Sequence, residues 1–103
     1  MEEINDANIE KNTQNGNVYL QFSASWCNPC KVMKQRVDSI SNKYSDINFF
    51  YVDIQTCDPS TLKKFNIKSI PHTFFIKNGV TKEEKIGMLK IDQLEDKLNN
   101  IFK

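Results

Sequence analysis

Short apolar runs alternate with amphipathic stretches along the first half of the chain. The densest run, residues 18–22, is rich in residues that favour strands and predicts a central β-strand. Residues 49–54 predict a second dense strand on the same grounds. Between them, apolar residues recur at intervals of four, three and four residues, which predicts an amphipathic helix through Tyr44. The residues of this stripe are Met33, Val37, Ile40 and Tyr44.

Shorter elements are predicted before and after this strand–helix–strand unit. Residues 1–17 are mostly polar and predict a short strand or a frayed start, then a short helix and a turn. Asp58 followed by Pro59 is typical of a helix start, because aspartate favours the N-cap and proline the first helical position. The pair therefore predicts a short helix through Phe65.

The C-terminal third predicts a hairpin and a last helix. Residues 73–77 form a strand pattern, and Asn78-Gly79 is a strong signal for a tight turn into an antiparallel strand over residues 80–86. The last helix carries four apolar residues on one face: Ile91, Leu94, Leu98 and Ile101. From residue 18 onward the predicted order is β-α-β-α-β-β-α, which indicates an α/β layer sandwich, with residues 1–103 forming one domain.

Composition limits the classes of partner. The 103 residues suffice for one core but not two, and the net charge of +1 provides no basic field, so no nucleic-acid partner is expected. Apolar runs fall short of the roughly 18–20 residues that a membrane span needs, so no membrane partner is expected. The N-terminal residues are acidic and do not resemble a secretory signal. We expect a cytoplasmic protein, unless a targeting segment was removed before Met1.

Three cysteines point to thiol chemistry. Cys27 and Cys30 form a Cys-x-x-Cys unit between the first dense strand and the amphipathic helix, and Cys57 lies apart. The unpaired amides and dipole of a helix N-terminus favour an anion, so we expect a lowered pKa at Cys27. A thiolate there attacks a disulfide, and Cys30, one turn inward, then attacks the resulting mixed disulfide. Pro29 stiffens the turn without loss of a helical hydrogen bond.

A zinc site is the alternative interpretation of the cysteine pair. Zinc prefers about four ligands, and the three cysteines with His72 would supply a nominal Cys₃His set. Cys57 follows a different strand, however, and no second Cys-x-x-Cys is present, which disfavours zinc. The three glycines form no phosphate-binding loop, so no flavin or nucleotide is expected to bind to the chain itself.

Several motifs together resemble the thioredoxin family. They are Phe-Ser-Ala-Ser-Trp-Cys-Asn-Pro-Cys-Lys at residues 22–31, Ile70-Pro71, Lys77-Asn78-Gly79 and Gly87, and their mutual spacing is similar to that of the family. The resemblance implies an α/β thioredoxin fold, with a central mixed sheet of four to five strands flanked by helices on both faces. It also implies a protein disulfide oxidoreductase that cycles Cys27 and Cys30 between dithiol and disulfide.

The resemblance implies a role for each residue around the pair. Cys27 is the nucleophile and Cys30 the resolving thiol. Pro71 matches the family's cis-proline, which lies against the cysteines and leaves the backbone of Ile70 free to hydrogen-bond an extended substrate. Gly87 matches a small residue where a side chain would obstruct the substrate. The implied substrate-binding residues are Trp26, Asn28, Pro29, Ile70, Pro71 and Gly87, and Met88 extends the same apolar platform.

The same resemblance implies the partners. Electrons from NADPH reach the pair through a separate, flavin-dependent thioredoxin reductase, and substrates are oxidised proteins such as peroxiredoxins or ribonucleotide reductase. The protein is expected to be a monomer with no bound cofactor or metal. The alternative function is a redox-capable binding subunit or adaptor of a larger complex, with weak reductase turnover.

Four positions depart from the family pattern. Gln21 stands where the family has a buried aspartate thought to help deprotonate the resolving thiol, and glutamine cannot take a proton near neutral pH. Asn28 replaces the glycine between the cysteines, and Gln35 replaces a proline that kinks the helix. His72 replaces a small hydroxyl residue after the cis-proline.

The remaining polar positions have simpler interpretations. Cys57 is expected to act as a small apolar residue before a helix, with a regulatory oxidation site as the alternative. His72 is expected to be satisfied by a neighbour, with an electrostatic influence on the cysteine pair as the alternative. Residues 83–85 are expected to be a solvated surface segment, and Asn78-Gly79 only a turn.

Overall fold

The computed structural model describes residues 1–102, and Lys103, the last residue of the predicted domain, lies outside the described residues. The strands are β1 (Glu2–Glu3), β2 (Asn17–Ser23), β3 (Ile47–Asp53), β4 (His72–Lys77) and β5 (Val80–Ile86). The helices are α1 (Ile9–Thr13), α2 (Asn28–Ile40), α3 (Pro59–Lys64) and α4 (Ile91–Ile101).

The strands form one mixed sheet in the order β1-β3-β2-β4-β5, so β2 lies at its centre. β2 pairs in parallel with β3 and antiparallel with β4, and β5 returns antiparallel to β4 after the Asn78-Gly79 turn. Residues 18–22 of β2 are all buried, which explains why the run lacks the alternation of a half-exposed strand. The predicted α/β fold, its central strand and its hairpin are confirmed.

Alternate residues of the sheet face two separate apolar layers. Tyr19 packs on the face covered by α2 and α4, whose contributions include Met33, Val37, Leu94 and Leu98. Val18, Leu20 and Phe22 pack on the opposite face, with Ile9, Leu62 and Phe65. The two layers hold β2 from both sides, so the chain leaves it at a fixed point, and the cysteine pair follows there.

The amphipathic helix ends earlier than the sequence pattern predicts. α2 ends at Ile40, and a single 3₁₀ turn over Ser41–Lys43 precedes Tyr44, whose N–H donates to the carbonyl of Ser41 at 3.0 Å. Tyr44 still packs against the α2 layer, half-buried. Serine and asparagine compete for backbone hydrogen bonds, which favours a tightened terminal turn over further α-helix.

Two surface features also differ from expectation. Ile91 is the first residue of α4 and is 41% exposed, so it is not part of the buried helix face. Asn78 is more than a turn residue: its N–H donates to the carbonyl of Gly16 at 2.8 Å, and its Oδ1 accepts the N–H of Gly16 at 2.9 Å. This reciprocal pair joins the turn before β2 to the turn between β4 and β5.

No helix within residues 1–102 is both long and apolar enough to span a bilayer.

Candidate active site

Cys27 and Cys30 lie where β2 leads into α2. Cys27 is the N-cap of α2, and its Sγ accepts the backbone N–H of Cys30 at 3.2 Å. The two sulfurs are joined in a disulfide with the Cα atoms 5.3 Å apart. An amide donor and the helix N-terminus both stabilise negative charge on the Cys27 sulfur once the bond is reduced. The geometry therefore favours Cys27 as the first thiolate.

Apolar side chains surround the disulfide. Ala24, Ile54 and Ile70 pack against it, and Cys27 and Cys30 are only 5% and 2% exposed. A thiolate that attacks a protein disulfide is expected to have partial contact with solvent, but in the disulfide form both Cys27 and Cys30 are nearly buried. Burial disfavours charge on either sulfur, so the amide donor at Cys27 distinguishes the two cysteines more than access to solvent does.

Pro71 and Gly87 are hydrogen-bonded to each other, and Pro71 directly follows Ile70, which packs against the disulfide. The Ile70–Pro71 bond is cis, as the resemblance implies, and the N–H of Gly87 donates to the carbonyl of Pro71 at 2.8 Å. Gly87 has φ +93°, a conformation that residues with a side chain rarely adopt. The backbone conformation thus favours glycine at this position, independently of whether a side chain would obstruct the substrate.

The predicted substrate-binding residues differ in exposure. Trp26 is 63% exposed and Met88 is 41% exposed, while Asn28 and Pro29 also face solvent. Ile70 and Gly87 are half-buried and Pro71 is buried. An exposed apolar rim around a buried disulfide suits a protein substrate that is gripped through its backbone and apolar side chains. The substrate-binding role of these residues stays a prediction.

Gln21 belongs to a buried hydrogen-bond network beneath Cys30. Its Nε2 donates to the carbonyl of Cys30 at 3.3 Å, and its Oε1 accepts the hydroxyl of Tyr19 at 2.8 Å. Thr73 Oγ1 lies 3.5 Å from the same hydroxyl. Burial raises the pKa of Tyr19, so its hydroxyl remains a donor and fixes the orientation of the amide. The sequence analysis indicated Gln21 but not Tyr19 or Thr73. Tyr19 lies two residues earlier on the same face of β2, and Thr73 is the partner of Gln21 across the sheet.

His72 is turned away from this network. Its ring stacks on Phe74 at a centroid distance of 4.4 Å, and its Nε2 lies 3.0 Å from Glu84 Oε1. The predicted satisfaction by a neighbour holds for Nε2 only, because Nδ1 is buried without a hydrogen-bond partner within residues 1–102. Since Gln21 pairs with Thr73 across the sheet, His72 lies on the opposite face from Gln21. Glu84 is exposed, as expected of residues 83–85, but it serves as a pairing partner rather than only a solvated surface residue.

The nominal zinc ligands are dispersed. Cys27 and Cys30 are bonded to each other, Cys57 contacts Asp6, and His72 contacts Glu84. In the part of the chain that the structure describes, no three histidine, cysteine, aspartate or glutamate side chains gather as a metal-binding group.

Asp6 connects the N-terminal loop to Cys57 and α3. Its Oδ1 accepts the hydroxyl of Thr61 at 2.5 Å and the thiol of Cys57 at 3.4 Å, and its Oδ2 accepts the N–H of Asp58 at 2.9 Å. The bonds from Thr61 and Asp58 lower the pKa of Asp6. Asp58 is the N-cap as predicted, but its own side chain makes no capping bond. Asp6 does not replace that bond, because it accepts the N–H of Asp58 itself and the side-chain hydroxyl of Thr61.

The surroundings of Cys57 hold it as a neutral thiol. Burial, followed by the hydrogen bond to Asp6 and the charge of that carboxylate, raises the pKa of Cys57 to about 11. A thiol with so high a pKa is a poor nucleophile near neutral pH. This favours the interpretation of Cys57 as a small packing residue over that of a regulatory thiol.

We expect Asp6→Asn to raise the alkylation rate of Cys57 several-fold at a fixed pH below its pKa. The substitution removes the negative charge beside the thiol but retains an amide oxygen, and each unit of lowered pKa raises the thiolate fraction about tenfold. The measurement is the pH profile of iodoacetamide labelling, read by mass spectrometry with Cys27 and Cys30 oxidised.

Thr61→Val is the control for this prediction. The Thr61 hydrogen bond lowers the pKa of Cys57, so its loss should shift the labelling profile to higher pH. Shifts in the same direction for both variants would contradict the assignment.

Comparisons with known proteins agree with the geometry. Residues 1–100 match the thioredoxin family model. Thioredoxin H8 of Arabidopsis thaliana is 34% identical over 80 residues, which cover 78% of this chain and 53% of the relative. Thioredoxin H2 of Arabidopsis thaliana is 33% identical over 82 residues, covering 80% of this chain and 60% of the relative.

A second group of relatives matches over most of its length. Thioredoxin of Homo sapiens is 36% identical over 84 residues, which cover 82% of this chain and 78% of the relative. The chain thus spans little more than half of the two Arabidopsis relatives but most of the human one.

Proposed function

The chain belongs to the thioredoxin family, and from that premise we propose that it is a thiol-disulfide oxidoreductase that reduces disulfides in other proteins. The observation that carries this proposal is the Cys27–Cys30 disulfide at the N-terminus of α2, with an amide N–H directed at the Cys27 sulfur. A site that stabilises one thiolate and holds a second thiol within bonding distance is suited to two-step exchange.

The proposed reaction moves two electrons to the substrate. The Cys27 thiolate attacks one sulfur of a substrate disulfide, which releases the other substrate sulfur as a thiolate and forms a mixed disulfide. Cys30 then loses its proton and attacks the Cys27 sulfur, which breaks the mixed disulfide and releases the second substrate thiolate. The substrate ends as a dithiol and the protein as the Cys27–Cys30 disulfide. Both substrate thiolates take protons from solvent or from released thiol protons.

The proposal includes the partners implied by the resemblance. A separate flavin-dependent thioredoxin reductase would return electrons from NADPH to the disulfide, and oxidised proteins such as peroxiredoxins or ribonucleotide reductase would be the substrates. The exposed Trp26 and Met88 supply apolar contact area for such proteins. We also propose a cytoplasmic setting, because a disulfide reductase works in a reducing compartment.

The decisive experiment is insulin-disulfide reduction coupled to NADPH and a thioredoxin reductase. We expect steady NADPH consumption that depends on the chain and disappears in the Cys27→Ser/Cys30→Ser variant. Trp26→Ala should retain exchange with small disulfides but reduce insulin more slowly, because the substitution removes apolar contact area and leaves the cysteines intact.

An adaptor with weak turnover is the second candidate function, and Gln21 favours it. The position beneath Cys30 holds an amide that donates to a carbonyl and cannot accept a proton. If the reduced protein carries both free thiols but turns over insulin negligibly, the adaptor function is favoured over the reductase function.

A further inference from the structure

A cleft of about 230 Å³ lies beside Cys30. Its walls come from the ends of β2 and β3 and from the first turns of α2, and they include Ala24, Cys30, Lys31 and Asp53. None of the predicted substrate-binding residues of the chain lines it. The cleft therefore reaches the resolving cysteine by a route separate from the platform around Trp26 and Pro71.

Asp53 places a carboxylate in this cleft. It is the last residue of β3 and pairs across the sheet with Ser23, while Tyr51, two residues earlier, pairs with Gln21. Asp53 and Gln21 therefore lie on the same sheet face, the one that α2 covers. Oδ1 of Asp53 accepts the N–H of Gln55 at 2.9 Å, and Oδ2 makes no hydrogen bond within residues 1–102. One carboxylate oxygen is thus available to a water in the cleft.

We propose that Asp53 is the proton acceptor for Cys30 and acts through water in this cleft. In the resolving step the proton of the Cys30 thiol passes to a water, and that water passes a proton to Asp53. The Cys30 thiolate then attacks the Cys27 sulfur, and the substrate sulfur leaves with the electron pair of the broken mixed disulfide. Asp53 returns its proton to solvent or to the departing thiolate.

Two features of the site support this path over one through Gln21. The amide of Gln21 is occupied on both sides, by the carbonyl of Cys30 and the hydroxyl of Tyr19, and it has no basic site near neutral pH. The cleft is large enough for several waters, and its polar groups can hold them. Water can therefore reach Cys30 from the side where Asp53 lies.

The cleft also contains other charged side chains, some cationic and some anionic. Lys31 and Lys34 on α2 add positive charge that favours a thiolate at Cys30, and Lys34 also contacts the ring of Tyr51. Glu3 on β1 accepts the hydroxyl of Tyr51 at 3.4 Å. The N-terminal ammonium and Lys34 are both paired with Asp38. Asp53 is the last residue of β3, and the next residue, Ile54, packs against the disulfide.

The inference rests on the exchange chemistry of the proposed function, and its test separates the two exchange steps. In a Cys57→Ser background, the reduced protein reacts with the symmetric aromatic disulfide dithionitrobenzoate in a stopped-flow instrument. The first coloured thiolate reports attack by Cys27, and the second reports resolution by Cys30. If the protein with unchanged Cys27, Cys30 and Asp53 releases no first thiolate, the proposed function is contradicted. The inference about Asp53 concerns only the release of the second thiolate.

We expect Asp53→Asn to slow the second release about tenfold near neutral pH, below the ~10²–10⁴-fold of ideally placed general bases because a water intervenes. The first release should be unchanged. The slower second release of Asp53→Asn should disappear at high pH, where hydroxide deprotonates Cys30 directly. Added acetate should speed the second release in Asp53→Asn but not in the unsubstituted protein. Glu3→Gln, which changes charge at the same cleft, is the matched control and should behave as the unsubstituted protein.

Three results would overturn the inference. One is an unchanged second release in folded Asp53→Asn. Another is a deficit that persists equally at every pH and does not respond to acetate, because that pattern indicates a structural role for Asp53. The third is an equal deficit in Glu3→Gln, which would assign the effect to net charge at the cleft.

Discussion

Cys27→Ser is expected to abolish disulfide reduction, whereas Cys30→Ser should leave a protein that accumulates mixed disulfides with its substrates. The difference follows from the positions of the two sulfurs. Cys27 is the N-cap of α2, where its Sγ accepts an amide N–H, so it ionises first and attacks first. Without Cys27 no first attack occurs, and without Cys30 the mixed disulfide has no internal thiol to resolve it.

The measurement combines turnover with trapping. Insulin reduction in Cys27→Ser should fall to the background rate of the double cysteine variant. Cys30→Ser incubated with oxidised protein substrates should give higher-mass species that disappear on reduction and contain Cys27 in the linkage by mass spectrometry. Cys57→Ser is the control and should retain turnover, because Cys57 lies outside the disulfide and is held as a thiol.

One outcome would contradict the order of attack, and another would contradict the low reactivity of Cys57. Trapped complexes formed by Cys27→Ser through Cys30 would show that the buried sulfur can attack first. Linkage through Cys57 in either variant would show that the environment of Cys57 does not suppress its reactivity. Both outcomes are distinguishable by peptide mapping.

Local patterns in the sequence predicted much of the fold. The apolar run at residues 18–22 predicts a buried strand because burial on both faces removes alternation, and the structure places that run at the centre of the sheet. The Cys-x-x-Cys unit with Pro29 predicts a helix start, and α2 begins at Asn28. In both cases neighbouring residues determine the outcome, so spacing along the chain carries the information.

Contacts between distant segments could not be predicted in this way. Asp6 provides the acceptor for Thr61 and Asp58, across more than fifty positions of sequence, and nothing in the local pattern around Asp6 indicates it. Thr73 lies near the hydroxyl of Tyr19 because β2 pairs with β4, which brings together residues 54 positions apart. The cleft at Asp53 likewise depends on how β3 and α2 meet. Local spacing does not determine these packing relations.

Gln21→Asp is expected to produce a protein whose stability falls as pH rises. Gln21 is fully buried, and the introduced carboxyl would share that environment, next to the carbonyl oxygen of Cys30. Burial and the neighbouring acceptor both disfavour the ionised form, while the hydroxyl of Tyr19 partly offsets them as a donor. Burial is the larger effect at a position with no solvent access, so the pKa of the introduced group rises above its ordinary value.

The sign of the pH dependence follows from proton linkage. A carboxyl whose pKa is raised in the folded state keeps its proton over a range where the unfolded chain has released it. Above the unfolded value of about 3.9, the unfolded state therefore binds fewer protons, and the free energy of unfolding falls as pH rises. The loss is at most about 1.4 kcal/mol per pH unit and ends above the folded pKa. A rise of two units in pKa would cost about 3 kcal/mol at neutral pH.

Urea unfolding of Gln21→Asp and Gln21→Asn at several pH values isolates this effect. The asparagine side chain is as long as that of aspartate and falls equally short of Cys30, but it has no titratable group. The loss of unfolding free energy in Gln21→Asn should therefore not change with pH. The difference between the two variants should be small near pH 4 and should grow toward pH 7. A constant difference would mean that the introduced carboxyl is solvated and that the position tolerates charge.

The same substitution should speed resolution of the Cys27 mixed disulfide once the introduced carboxyl ionises. A base directly beneath Cys30 needs no intervening water, so the second thiolate release in Gln21→Asp should become faster above the raised pKa. The clearest comparison is made in the Asp53→Asn background, where the proposed cleft route is lost. Recovery of the second release on adding Gln21→Asp, but not Gln21→Asn, would show that proton removal from Cys30 limits the step. No recovery in a folded double variant would show that proton removal from Cys30 does not limit the second release. Glutamine at position 21 would then not slow resolution of the mixed disulfide.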